Sequence, residues 1–210
     1  MKIKIFTGGV TAIIGLFLVG MVGVAGAVPI NGGLLGKYYD DASFGAPSWD
    51  NFRYEQVDSQ IDFAWNLGSP NTSLLGNDTY SIDWTGWLFV DSDGDYDFRT
   101  DSDDSSMLYI DGTTVVNNSG NHAMRSRYGS IYLTSGLHDI ELTFHEYTVY
   151  ADVSLYWNAT PNGEYDIIDS SHLYHDDGNN PAPVPEPATM LLFATGLAGI
   201  AGLRRRGHGQ

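Results

Sequence analysis

An all-β protein, built as an antiparallel β-sandwich or barrel, is what this sequence predicts, and three observations carry the prediction. Short runs alternate apolar and polar residues with a period of two. Tyr96 and Phe98 alternate with Asp95, Asp97 and Arg99; Ile140, Leu142 and Phe144 with Asp139, Glu141, Thr143 and His145; Val153, Leu155 and Trp157 with Asp152, Ser154 and Tyr156. Turn pairs punctuate the runs at Asp93-Gly94, Asp111-Gly112, Ser135-Gly136 and Asn162-Gly163. No long helical periodicity and no internal repeat interrupts them. Many short strands with one polar face, rich in Tyr and Trp, call for two packed sheets or a closed one.

In chain order, residues 1–27 come first: Lys2 and Lys4, the apolar run 12–24, then Ala25-Gly26-Ala27. A basic start, an apolar middle and a small-residue cleavage site make a secretory signal peptide, with cleavage expected after Ala27. The strand-forming domain is expected over 33–176. The stretch DDGNNPAPVP (176–185) is polar and proline-rich, and a linker is expected over 177–183. At the other end Val184-Pro185-Glu186-Pro187 precedes an apolar segment, 188–203, and then Arg204-Arg205-Arg206. Sixteen apolar residues fall slightly short of a relaxed membrane span of about 20, and the arginines fit the positive-inside rule. This tripartite segment, 184–206, resembles the PEP-CTERM sorting signal. The resemblance implies a transmembrane helix at 188–203 that anchors the chain transiently in the inner membrane of a Gram-negative, exopolysaccharide-making bacterium. It also implies an exosortase as partner, which removes or exchanges the tail. The alternative is an ordinary membrane anchor.

Charge agrees with export. The chain carries −16 overall, and residues 28–185 hold 5 Lys and Arg against 25 Asp and Glu. Such a surface repels nucleic acid and anionic lipid and favours cations, so membrane contact is expected only through 188–203. There is no cysteine, so the domain must be held by its core or by a metal.

Within the domain, RTDSDDSSMLYIDG (99–112) stands out. Asp103 and Asp104 sit side by side ahead of Met107-Leu108-Tyr109-Ile110, an apolar run expected to be a buried strand. Adjacent carboxylates repel one another unless a cation neutralises them, and calcium, which takes six to eight hard oxygen ligands in loose geometry, suits such a pair. A solvated acidic loop is the alternative reading of the same residues.

Several segments together resemble the PA-fourteen domain, the β-sandwich shared by anthrax protective antigen, yeast flocculins and many glycosidases. They are GLLGKYYD (33–40), IDFAWNLGSP (61–70), SIDWTGWLFV (81–90), GDYDFRTDSDDSSMLYIDG (94–112), TTVVNNSGNH (113–122), YLTSGLHDIELTFHE (132–146), DVSLYW (152–157) and YDIIDSSHLYH (165–175). The resemblance places the family's long penultimate hairpin over 132–146. In the sugar-binding branch of that family two adjacent aspartates, joined by a cis peptide, chelate a calcium ion that binds vicinal sugar hydroxyls. Asp103 and Asp104 occupy those positions. A second loop completes the shell there with an Asn and backbone carbonyls; here it is HEYTVYAD (145–152), with Glu146 in place of the Asn and Thr148 and Tyr150 at the carbonyl positions. The resemblance therefore implies calcium at Asp103, Asp104, Glu146, Thr148 and Tyr150. Because Glu replaces Asn, this loop's sugar contacts do not carry over.

Tyr147 and Tyr150 of the same loop offer aromatic faces for a saccharide, or else pack the loop on itself. The expected ligand contacts are Asp103, Asp104, Tyr147 and Tyr150. Trp84, Trp87 and Trp157 are expected in the core. Asp91-Ser92-Asp93-Gly94-Asp95 hints at an EF-hand loop, but its glycine comes fourth instead of sixth and Ser102 stands where the closing Glu belongs. It is expected to be a solvated hairpin turn. His145-Glu146 opens like a zinc-protease motif, but Val149 replaces the second His, and the stretch is strand and loop. His122 and His138 are expected to be hydrogen-bonded strand-end residues.

No enzyme is expected. Glycoside hydrolysis needs two carboxylates across a cleft, one with a raised pKa, and none is expected in surroundings apolar enough to hold a proton near neutral pH. No serine has a nucleophile-elbow context. Three function classes follow: an exported carbohydrate-binding module, calcium-dependent through the aspartate pair, at the cell surface or in the exopolysaccharide matrix; a structural or adhesion protein of that matrix using calcium for stability alone; and a module docking another exported protein.

Overall fold

A computed structural model describes residues 29–41, 47, 49–158 and 163–176. The expected signal peptide (1–27), linker (177–183) and sorting segment (184–206, with its apolar stretch 188–203) lie outside the described residues. Among the described residues, no helix is long and apolar enough to cross a membrane.

The strands are β1 (Ile30–Asn31), β2 (Leu34–Asp40), β3 (Phe52–Asp58), β4 (Asp62–Asn66), β5 (Tyr80–Val90), β6 (Gly94–Asp103), β7 (Ser105–Ile110), β8 (Thr113–Asn118), β9 (Arg125–Leu133), β10 (Gly136–Glu146), β11 (Ala151–Asn158), β12 (Asp166–Ile167) and β13 (Leu173–His175). A 3-10 turn at Ser170–His172 is capped by the Asp169 side chain. All pairings are antiparallel. One sheet of eight strands runs β1-β13-β5-β10-β7-β8, with β2 also on β5 and β3 on β2; a second of five runs β12-β11-β6-β9, with β4 on β11. The architecture is a sandwich.

Period-two alternation fixes which faces meet. From the larger sheet Trp84, Leu88, Leu108, Ile110, Ile140, Leu142 and Phe144 point inward; from the smaller, Tyr96, Phe98, Val153, Leu155 and Trp157. The same parity corrects two expectations. Trp87 stands three residues from Trp84 on one strand, so it faces outward and is only half-buried. In the run 107–110, Leu108 and Ile110 are buried, but Met107 and Tyr109 lie on the outer face.

The turn pairs divide into two kinds. Asp111-Gly112 closes a true hairpin between β7 and β8, with φ of 48° and 72°, the left-handed pair that a tight hairpin turn requires. Asp93-Gly94 and Ser135-Gly136 instead carry the chain from one sheet to the other, since β5 and β10 belong to the large sheet and β6 and β9 to the small. The hairpins expected at 91–95 and 132–146 are therefore crossovers. Asp93 fastens the two crossovers together by accepting the Ser135 amide at 2.7 Å.

A buried polar knot lies within the core. Asp58, 7% exposed, accepts hydrogen bonds from the Tyr38 hydroxyl, from Trp84 Nε1 at 2.7 Å and from Gln56 Nε2 at 2.8 Å. Gly36 makes room for it: a Cβ there would stand 2.8 Å from both Asp58 Oδ2 and Trp84 Nε1.

Candidate functional site

The acidic pair sits where the chain steps between layers. β6 ends at Asp103 in the small sheet and β7 begins at Ser105 in the large one, so Asp104 alone spans the step. The peptide between the two aspartates is cis. Both side chains are buried, Asp104 at 2% exposure.

Two loops close on this corner, each through backbone amides. From the β8–β9 loop, His122 N donates to Asp104 Oδ1 at 2.7 Å and Met124 N to Asp103 Oδ2 at 3.0 Å. From the β10–β11 loop, Tyr147 N and Thr148 N donate to Asp104 Oδ2 at 2.9 and 3.2 Å. The next amide, Val149 N, donates to Asp78 Oδ1 at 2.8 Å. Turning three successive amides onto carboxylates leaves Val149, a β-branched residue, at φ 82°, a conformation disfavoured for such side chains.

Glu146 is the last residue of β10, on the same face as Phe144, and is fully buried. Neither of its carboxylate oxygens has a hydrogen-bond partner. Burial, then the charges of Asp104, Asp103 and Asp78, push its pKa up to about 9; the Asp104 amide favours the charged form without completing a hydrogen bond. Tyr80, opposite Glu146 in the β5–β10 register, has a buried hydroxyl that is also without a partner. Burial raises the pKa of Asp103 as well; Asp104 and Asp152 add to it, and the Met124 amide opposes it.

Asp103, Asp104, Glu146, Tyr147 and Thr148 thus come together as the sequence suggested, while Tyr150 stands half-exposed at the end of its loop. Tyr147 is half-buried with its ring edge-on to His145, 4.3 Å between centroids. Two acids join them that the sequence did not single out. Asp78 is brought in by the loop before β5, and Asp152 stands opposite Asp103 in the β6–β11 register with a buried, unpartnered Oδ1. Asp152 was visible only as one polar member of an alternating strand. Asp78, in an Asn-Asp turn, gave no signal at all.

Among the described residues no three acidic or histidine side chains are gathered tightly enough to hold a metal by themselves. What fits a cation is the chemistry of Glu146. A buried carboxylate with no donor and three acidic neighbours must either keep its proton or meet a positive charge. The carboxylates of Asp103, Asp104 and Glu146 and the carbonyl oxygens of the 147–150 loop are hard donors of the kind a hard cation takes.

A second polar cluster lies behind Tyr147. Ser81 donates to Asp41, and both approach His145 Nδ1, at 2.5 Å for Ser81 and 3.3 Å for Asp41. The three are nearly inaccessible. This is not a nucleophilic triad, because there the serine and the acid occupy opposite ring nitrogens, whereas here both crowd Nδ1. The other histidines are hydrogen-bonded: His122 Nε2 to Asn118 O at 2.9 Å, and His138 Nδ1 to Asp111 Oδ2 at 2.7 Å.

The expectation that no carboxylate would hold a proton near neutral pH is corrected twice, by Glu146 and by Asp83. Burial and then Glu141 push Asp83 up to about 6, against the opposing pull of Lys37.

Comparison with known proteins places this arrangement. The PA14 domain family profile matches residues 31–171, and that of the PEP-CTERM protein-sorting motif matches 183–206. Anti-sigma-I factor RsgI3 of Acetivibrio thermocellus is 33% identical over 163 residues, which is 77% of this chain and 24% of that protein. A solved anti-sigma factor domain-containing protein superposes with a TM-score of 0.64 at 31% identity, over 73% of this chain and 50% of its own. The chain therefore spans about a quarter to a half of these relatives. The PA14 sugar-binding domain from an RTX adhesin superposes with a TM-score of 0.57 at 22% identity, over 70% of this chain and 99% of that domain, a likeness of fold.

Proposed function

Because the chain belongs to the PA14 domain family and carries a PEP-CTERM protein-sorting motif, we propose that it is an exported carbohydrate-binding module of the cell surface or exopolysaccharide matrix. The observation that carries this reading is the buried, unpartnered Glu146 beside Asp103 and Asp104, with Tyr147 and Tyr150 on the adjoining loop. Calcium would be held there by those three carboxylates and the carbonyls of Thr148 and Tyr150. Such a cation would supply ligation for sugar hydroxyls. The chain's own part is to hold the corner dry, to fix both loops through the Asp104 carboxylate, and to offer Tyr147 and Tyr150 to the sugar's C–H face.

The protein binds rather than transforms its ligand: the Asp41–Ser81–His145 cluster has the wrong geometry for acyl transfer and no access. The sigma-factor role named in its relatives is not part of this reading, since the match covers a minor part of the named protein. Retention of the exported protein on immobilised glycans that is stronger in millimolar calcium than in EDTA tests the proposal; retention that calcium does not raise, or none in either, sinks it.

A second reading, a matrix protein that uses calcium only for stability, is favoured by one observation. Asp104 already accepts three backbone amides and so joins two loops without any sugar. Calcium-raised stability with no glycan retention would select it. In both readings the tail is handed to an exosortase in a Gram-negative envelope. Intact mass of the surface form should then show a chain lacking Arg204–Arg206, and Glu186→Ala should leave the full-length chain in the inner membrane.

A further inference from the structure

The outer face of the eight-stranded sheet carries a trough that runs up to the acidic corner at Tyr147. Four strands contribute rows of side chains in register. Leu35, Thr85, Glu141 and Tyr109 stand across from one another, and one step along come Lys37, Asp83, Thr143 and Met107. Two adjoining hollows open on this face. One, of about 430 Å³, is walled by Trp87, Tyr109 and Glu141. The other, of about 540 Å³, is walled by Tyr39, Trp49, Tyr109 and Tyr147, with Asp83 and Glu141 at its floor. Tyr109 and Glu141 line both, so the hollows adjoin along the strands. Each is within the size range of small-ligand sites, roughly 300–1,000 Å³.

The chemistry of the lining is mixed in a specific way. Aromatic rings stand at the walls: Trp49 is 36% exposed and braced edge-on by Tyr39, with ring centroids 5.3 Å apart. The floor is acidic, and Asp83 Oδ1 is buried there without a hydrogen-bond partner. Flat apolar faces with a carboxylate between them match a pyranose ring, whose C–H face stacks while its hydroxyls donate to the acid. The −16 charge of the chain and the two floor carboxylates disfavour polyanions. We propose that this trough is a second, calcium-independent binding site for a neutral, extended polysaccharide, with Trp49 and Tyr109 as stacking platforms and Asp83 and Glu141 as hydroxyl acceptors. Binding without cleavage follows from the register. Asp83 and Glu141 are diagonal neighbours on adjacent strands of one face, so they lie under the same side of a bound chain, whereas hydrolysis needs carboxylates flanking the scissile bond.

The test titrates cellohexaose, laminarihexaose and maltohexaose into the exported protein in EDTA, with alginate as the polyanion control. At least one neutral hexasaccharide should bind with an affinity unchanged by calcium and shift the Trp49 indole resonance. Trp49→Ala should weaken that binding at least about tenfold while leaving the far-UV circular dichroism spectrum unchanged, and Asp83→Asn should do likewise. Failure of all three sugars to bind in EDTA overturns the proposal, as does tighter binding of alginate or indifference to Trp49→Ala. Since calcium is absent throughout, the result reads sugar binding that needs no cation at the corner, whether or not the corner takes calcium.

Discussion

Asp58 and Glu146 are both carboxylates buried between the same two sheets, and they are solved in opposite ways. Asp58 is met by a tyrosine hydroxyl, an indole N–H and a glutamine amide, all from its own sheet. Glu146 completes no hydrogen bond, and burial, then the charges of Asp104, Asp103 and Asp78, push its pKa up to about 9. A fold able to build a complete donor set for one buried acid leaves the other bare. The difference sets Asp58 apart as part of the scaffold and makes Glu146 the residue on which the proposed cation site rests.

The contrast predicts which substitutions act on folding and which on metal response. Asp58→Ala strands the Tyr38 hydroxyl and Trp84 N–H in the core, and should cost about 3–5 kcal/mol, roughly 10 °C in melting temperature, with the calcium response intact. Thermal unfolding with and without calcium reads both quantities. Next in size, calcium at about 1,000 times its Kd should raise the melting temperature of the wild type by about 10 °C, a stabilisation of about 4 kcal/mol. Glu146→Gln should abolish most of that rise while stabilising the calcium-free protein, because a neutral amide replaces an uncompensated acid. An unchanged calcium response in this variant would remove Glu146 from the site.

A pH series sharpens the same comparison at smaller amplitude. Glu146 has a folded pKa raised from 4.5 to about 9. Its contribution to stability is therefore fully present below pH 4.5 and is lost as pH rises toward 9. Asp83, raised from 3.8 to about 6, acts with the same sign over a lower window. The calcium-free protein should melt progressively lower from pH 5 to pH 9, and Glu146→Gln should flatten the upper part of that slope. The smallest effect on folding is expected at Tyr150, which is half-exposed. Tyr150→Ala should change stability by less than about 0.5 kcal/mol yet weaken glycan retention several-fold, as read on immobilised sugar in calcium.

How far these residues could be read from the chain follows from what each depends on. Ile140, Leu142 and Phe144 were legible because a half-buried strand imposes its own period. Asp103 and Asp104 were legible because two adjacent acids before a strand are unusual, and Glu146 because family resemblance placed it. The inter-sheet character of Asp93-Gly94 was not, since a Gly turn has the same local sequence whether it returns to its own sheet or crosses to the other. Asp78 gave no signal and Asp152 none beyond its place in an alternating strand, because pairings far apart in sequence bring them to the corner. Nor could the trough be foreseen: Lys37, Asp83, Thr143 and Met107 come from four strands and meet only in register.

The claim that the corner exists to receive a cation is tested most directly by calorimetric titration of calcium into the exported protein near pH 7, repeated in buffers of different ionisation enthalpy. With its pKa near 9, Glu146 holds its proton in the calcium-free protein and must surrender it on binding. The account predicts saturable binding of calcium with release of about one proton per ion, and loss of that release in Glu146→Gln. Calcium binding without proton release, or no calcium binding at all, would contradict it.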